Sequence, residues 1–165
     1  MNHRPVHCVV PLRGEATDDI SAVVDRAFKA FHGYPGTWLP APAVPIASGF
    51  RVRLQMPGTS HAPDVAAIVA VGAALHPRAE LSLRSLRWRA EKAHELFPVL
   101  DGDLELHTGP EPALRLTGSY VPPMSVLGAL TDQVVGRHLA SEVVRGFTAN
   151  VAGRLRMATS SPGLS

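Results

Sequence analysis

Apolar and polar positions alternate without interruption along Phe50-Arg51-Val52-Arg53-Leu54-Gln55-Met56, which puts Phe50, Val52, Leu54 and Met56 on one side of an extended chain. One side then meets a core and the other meets water, as in a half-buried antiparallel strand. Val6 to Leu12 has the same two-residue period, with Val6, Cys8 and Val10 opposite His7 and Val9, and predicts a first strand ended by Pro11 or Gly14. Between these two strands the period changes. Ile20, Val23, Val24, Ala27, Phe28 and Phe31 recur at helical spacing behind Thr17-Asp18-Asp19, which supplies a cap and first-turn carboxylates. Gly33 is placed to end that helix in the left-handed conformation. Tyr34 to Pro45, with four prolines and Trp38, reads as an ordered connector containing a helical turn.

Farther along, Val65 to Val71 reads as a more fully buried strand, although its alanines would also allow a helix. Leu81, Leu83, Leu86, Trp88 and Ala90 share one face only if the period slips near Arg84-Ser85, which predicts a β-bulge there. Asp101-Gly102 is a turn signal before Leu104 and Leu106, and Gly109-Pro110 separates that segment from an alternating strand over Leu114 to Val121. From Met124 onward, Leu127, Leu130, Val134, Leu139, Val143, Phe147, Val151 and Leu155 trace a helical stripe, broken by one long step at Gly136, where a bend is expected. Thr159 to Ser165 has no periodicity and reads as a flexible tail behind a single domain spanning residues 1–158.

Composition leaves this picture intact and removes several classes of function. The chain has 165 residues, 45% hydrophobic and 18% charged, which suits one globular domain and excludes a disordered chain. A net charge of +2 creates no strong field, so no nucleic-acid partner is implied. The lone Cys8 forms no internal disulfide, compatible with a cytoplasmic setting. Too few apolar residues precede Arg13 for a secretory segment, and the apolar stretch from Val65 to Leu75 is too short for a membrane span.

The element order is strand, helix, proline-rich connector, a run of strands and a long closing helix. With Leu96-Phe97-Pro98-Val99-Leu100-Asp101-Gly102-Asp103-Leu104-Glu105-Leu106 and Leu116-Thr117-Gly118-Ser119-Tyr120-Val121-Pro122-Pro123, the chain resembles the SRPBCC superfamily of START-related and polyketide-cyclase-like proteins. The resemblance implies an α+β helix-grip fold, in which a curved antiparallel sheet of about six to seven strands wraps around the C-terminal helix. It also implies an apolar cavity between sheet and helix for a lipid-like or polyketide-like molecule. Two branches do not carry over. Pro57 to Pro63 holds only Gly58, unlike the multi-glycine loop of the plant carriers, and the iron–sulfur domain of the ring hydroxylases is missing.

Cavity candidates are the apolar inward positions Trp38, Phe50, Val52, Leu54, Met56, Leu86, Trp88, Leu104, Leu116, Tyr120, Val143 and Phe147, with Leu83 among the same set. Residues that line a cavity are the same kind that fill one, so core packing is the competing reading. Tyr120 and Trp88 are the polar tips a ligand could satisfy. No metal site is expected, because His7 and Cys8 of the closest cluster, His3-His7-Cys8, point to opposite faces of a strand. The other histidines, His32, His61, His76, His94, His107 and His138, are scattered and read as solvated. Neither a nucleophile elbow nor a phosphate cradle occurs, so no cofactor is expected and catalytic residues are not assigned. Arg51, Arg53, Arg84, Arg87 and Arg89 read as a solvated outer face of the sheet, with Trp88 turned the other way, and Arg115 also points outward. The leading expectation is a non-enzymatic binder of a small hydrophobic molecule. A cyclase or dehydratase using Tyr120 or a cavity histidine is the alternative, and an adaptor presenting its arginine face to a protein partner is the third.

Overall fold

Strands outnumber helices in the molecule. A computed structural model describes residues 3–13, 19–55, 64–92, 97–121 and 133–158, the side chains of 133–139 excepted. Met56, the turn Pro57-Gly58-Thr59-Ser60, His61, His94, Leu96, Leu127, Leu130 and the tail from Thr159 lie outside these residues, as do the side chains of Val134, His138 and Leu139. The strands are β1 (Arg4–Pro11), β2 (Val44–Ile46), β3 (Gly49–Gln55), β4 (Asp64–Val71), β5 (Leu75–Arg78), β6 (Leu81–Ala90), β7 (Val99–His107) and β8 (Ala113–Val121). Among the described residues two helices accompany them, α1 (Ile20–His32) and α2 (Gln133–Met157), and the connector holds a single 3-10 turn, Pro35–Thr37.

The fold class is α+β, with one antiparallel, curved sheet in the order β1-β8-β7-β6-β4-β3-β2 and β5 also paired with β6. Among the described residues the sheet has eight strands, against the about six to seven expected. The extra strands, β2 and β5, are short and proline-containing and show no alternation of their own, so hydrophobic periodicity passes over them. The first strand closes against the last, Arg4 opposite Tyr120 and Pro11 opposite Ala113. α2 packs against β1, β8 and β3, strands from both ends of the sheet order, and against α1. It therefore lies across the concave palm. Its buried positions, Ala140, Val143, Val144, Phe147, Thr148, Val151, Ala152 and Leu155, repeat every three to four residues and line one side of the core whose other side is the inner face of the sheet. The helix is continuous through Gly136.

Three local expectations are corrected. Gly33 is extended, with φ −73° and ψ −163°, because the last carbonyls of α1 are met by a side chain from the sheet and no left-handed turn is needed. Asp101-Gly102 lies inside β7, where Gly102 faces Gly118 of β8. A methyl group at Gly102 would collide with the Thr117 carbonyl oxygen, and one at Gly118 with that of Asp101. This bare pair lets the strands approach where any larger residue would clash. The third correction concerns β6. Its register with β7 is constant from Leu81 opposite His107 to Trp88 opposite Leu100, so β6 carries no bulge. The irregularity sits in its other neighbour, where pairing passes from Val71 opposite Leu86 to Leu75 opposite Leu83 and shifts again at Arg78 opposite Leu81. Regular alternation along β6 turns Leu81 and Leu83 to the outer face and Ser82 and Arg84 inward.

Candidate functional site

The inner face gathers Phe50, Val52 and Leu54 of β3, Leu86 and Trp88 of β6, Leu104 of β7, and Leu116 and Tyr120 of β8. Val143 and Phe147 of α2 close over them, and Trp38 of the connector joins the same buried cluster. Phe147 and Trp88 meet with ring centroids 4.9 Å apart, and the Trp88 indole N–H donates to the Pro98 carbonyl at 3.2 Å. That indole is thus satisfied within the protein. The Trp38 indole nitrogen, fully buried, has no hydrogen-bond partner among the described residues.

Among the described residues these side chains form one buried cluster. A recess of about 90 Å³ opens between α2 and the end of β3; Leu54, Val143 and Phe147, with Pro40 and Ala41, form its apolar part, while Arg53, Gln55, Asp64 and Asn150 beside Gly146 make the rest of the lining polar. A methyl group built on Gly146 meets nothing within 4 Å.

Beside the apolar palm lies a polar cluster that sequence reasoning missed. Arg84, 5% exposed, donates from Nε to the Phe31 carbonyl at 2.8 Å, from Nη2 to the Gly33 carbonyl at 3.2 Å, and from Nη1 to the Gly72 carbonyl at 2.8 Å. Its guanidinium also stands 5.6 Å from the Phe31 ring centre and 6.0 Å from that of Trp38. A cation at the C-terminal end of α1 completes the orphan carbonyls and faces the negative end of the helix dipole. The same fork holds the bend after β4. Arg84 therefore acts as a clamp between helix and sheet.

Two residues before it, Ser82, 2% exposed, holds two imidazoles. His32 Nε2 lies 2.9 Å from Ser82 Oγ and His76 Nδ1 lies 3.1 Å from the same oxygen. The rings stack at 4.2 Å with 7° between their planes, and Phe28 packs against both. Because the hydroxyl has one proton and two lone pairs, it donates to at most one of the imidazoles, so at least one ring presents an N–H to the oxygen. Burial pushes the His32 pKa down, and the neighbouring His76 and Arg84 push it further. The only forewarning in the sequence was regular alternation along Leu81 to Ala90, which an inward arginine made look like a slip.

No three His, Cys, Asp or Glu side chains gather as metal ligands among the described residues. His3 and His7 turn outward toward Ser119 and Thr117, at 3.5 and 3.2 Å, while Cys8 belongs to the inner side. Burial raises the Cys8 pKa, partly offset by Thr148 and Arg145 of α2. Such a thiol is packed rather than nucleophilic. On the outer face Arg51 bonds Glu91, Arg87 bonds Asp101, and Arg115 approaches Glu105 at 3.8 Å. No described helix is long and apolar enough to cross a membrane.

No protein-family model matches the chain, and no curated protein does. Among solved structures it is similar to a conserved protein from Geobacillus kaustophilus, with TM-score 0.49 and 11% identity over 94% of this chain and 96% of that one. A protein from Thermus thermophilus matches with TM-score 0.36 and 15% identity over 96% and 100% of the two chains. An uncharacterised protein from Rhizobium leguminosarum matches with TM-score 0.35 and 12% identity over 95% and 99%.

Proposed function

We propose that the chain binds a small hydrophobic molecule between α2 and the palm of the sheet, entered beside Gly146. The observation that carries this reading is the recess whose apolar part is Leu54, Val143 and Phe147 and whose polar rim is Arg53, Gln55, Asp64 and Asn150, beside a helix glycine whose side-chain space is open. The SRPBCC resemblance and the closing helix laid across a curved sheet support the same assignment. At about 90 Å³ the recess is smaller than the roughly 300–1,000 Å³ of preformed ligand sites. Binding on this reading draws its remaining room from a shift of α2 away from β3, which it packs against more lightly than β1 or β8.

The test is titration with the neutral apolar fluorophore N-phenyl-1-naphthylamine. Wild type binds it saturably, and Gly146→Leu, whose side chain fills the mouth, weakens binding at least tenfold. The variant keeps its fold, because replacing an interior helix glycine removes a cost of up to about 1 kcal/mol. A wild-type protein that fails to saturate, or a variant that binds as tightly as wild type, overturns the proposal.

A further inference from the structure

The outer face of the sheet carries a second concavity, independent of the palm. Arg87 and Arg89 of β6, Val99 and Asp101 of β7, Ser119 and Val121 of β8, together with His3, line a groove of about 470 Å³. This lies within the roughly 300–1,000 Å³ range of small-molecule sites. Its floor is apolar, since Val99 pairs directly with Val121 and both are half-buried on the outward side. Arg89 stands across from Ile68 of β4, which extends the apolar row beyond the groove.

The charges around this floor are unbalanced. Asp101, the one carboxylate lining the groove among the described residues, is already engaged by Arg87. Arg89 is exposed and has no ion-pair partner among the described residues, whereas Arg51, Arg87 and Arg115 of the same face each have one. An unpaired guanidinium beside an apolar floor matches a molecule with one acidic group on an apolar body. A polyanion fits poorly, because Asp101, Asp103 and Glu105 alternate outward along β7 and would repel it.

We propose that this groove binds a small anionic amphiphile, its apolar body over Val99 and Val121 and its carboxylate or sulfonate on Arg89. Two fluorophores with the same ring skeleton test it: 8-anilinonaphthalene-1-sulfonate, which carries one anion, and N-phenyl-1-naphthylamine, which carries none. In Arg89→Glu the affinity for the sulfonate falls at least tenfold while that for the neutral probe stays within twofold of wild type, and Arg89→Lys recovers most of the loss. Gly146→Leu has the opposite pattern, so failure of the palm reading and failure of the groove reading are separately visible. Raising the salt concentration weakens only the sulfonate. The proposal is overturned by equal sulfonate affinity in Arg89→Glu and wild type, by loss of the sulfonate in Gly146→Leu instead, or by its failure to saturate on wild type.

Discussion

Arg84 and His32 meet at the same helix end and respond to their surroundings differently. Arg84 keeps its charge although burial disfavours it, because three carbonyls and a helix end surround the guanidinium. Loss of this fork strands those acceptors at about 1–3 kcal/mol for each one left buried and unpaired. His32 is more easily changed. Its folded-state pKa lies below its unfolded value, so the stability tied to its neutral form is complete above pH 6.5 and is lost as pH falls from there toward the folded pKa. His76 across the stack and Arg84 nearby both disfavour the added proton. Urea midpoints measured from pH 7.5 to 5 should fall for wild type and fall less for His32→Gln. Parallel curves for the two proteins would remove His32 from the account. None of this was readable from the chain, because an inward arginine and a buried serine in β6 occupy positions that periodicity assigns to apolar residues.

Among the elements, alternation located β1, β3 and β8, and the helical period located α1 and the buried stripe of α2, because one face of each meets the core; β4 was located as a continuous apolar run, yet buries only Ala67 and Val69 fully. The errors have a common cause. β6 is held on one side by an unbroken ladder to β7, so the irregularity demanded by curvature passes to β4 and β5, where Gly72-Ala73-Ala74 are small. The apparent slip near Arg84-Ser85 was thus the right place on the wrong strand. Gly102 likewise resembles a turn residue, yet its use is the close approach of β7 to β8. Gly102→Ala drives its methyl into the Thr117 carbonyl oxygen and should destabilise the protein by about 1–3 kcal/mol, by the cost of overpacking. Thermal unfolding measures it, and an unchanged midpoint would show that β7 and β8 separate freely.

Across the whole molecule, the candidate palm residues were legible as a set because their chemistry is uniform, whereas the outer groove was not, since it arises from register between strands distant in sequence. The two proposed sites are separate, one between α2 and the end of β3 and the other on the outer face of β6, β7 and β8. Their effects should therefore be independent: the double variant Gly146→Leu with Arg89→Glu loses both probes, each by the factor seen in its single variant, within the additivity expected of separated positions. A large departure from that product would mean that the sheet transmits occupancy from one face to the other.

The pairing of β1 with β8 has a consequence during synthesis. Val6, Cys8 and Val10 leave the ribosome well before Tyr120 completes their strand partner, and α2, which covers them, comes later still. Throughout that interval the nascent chain exposes a β-branched apolar segment with nowhere native to go, which is when association with other chains or capture by a chaperone competes with folding. The proline at each end of that segment, Pro5 and Pro11, withholds two backbone donors and makes it a poorer template for a stray strand while it waits.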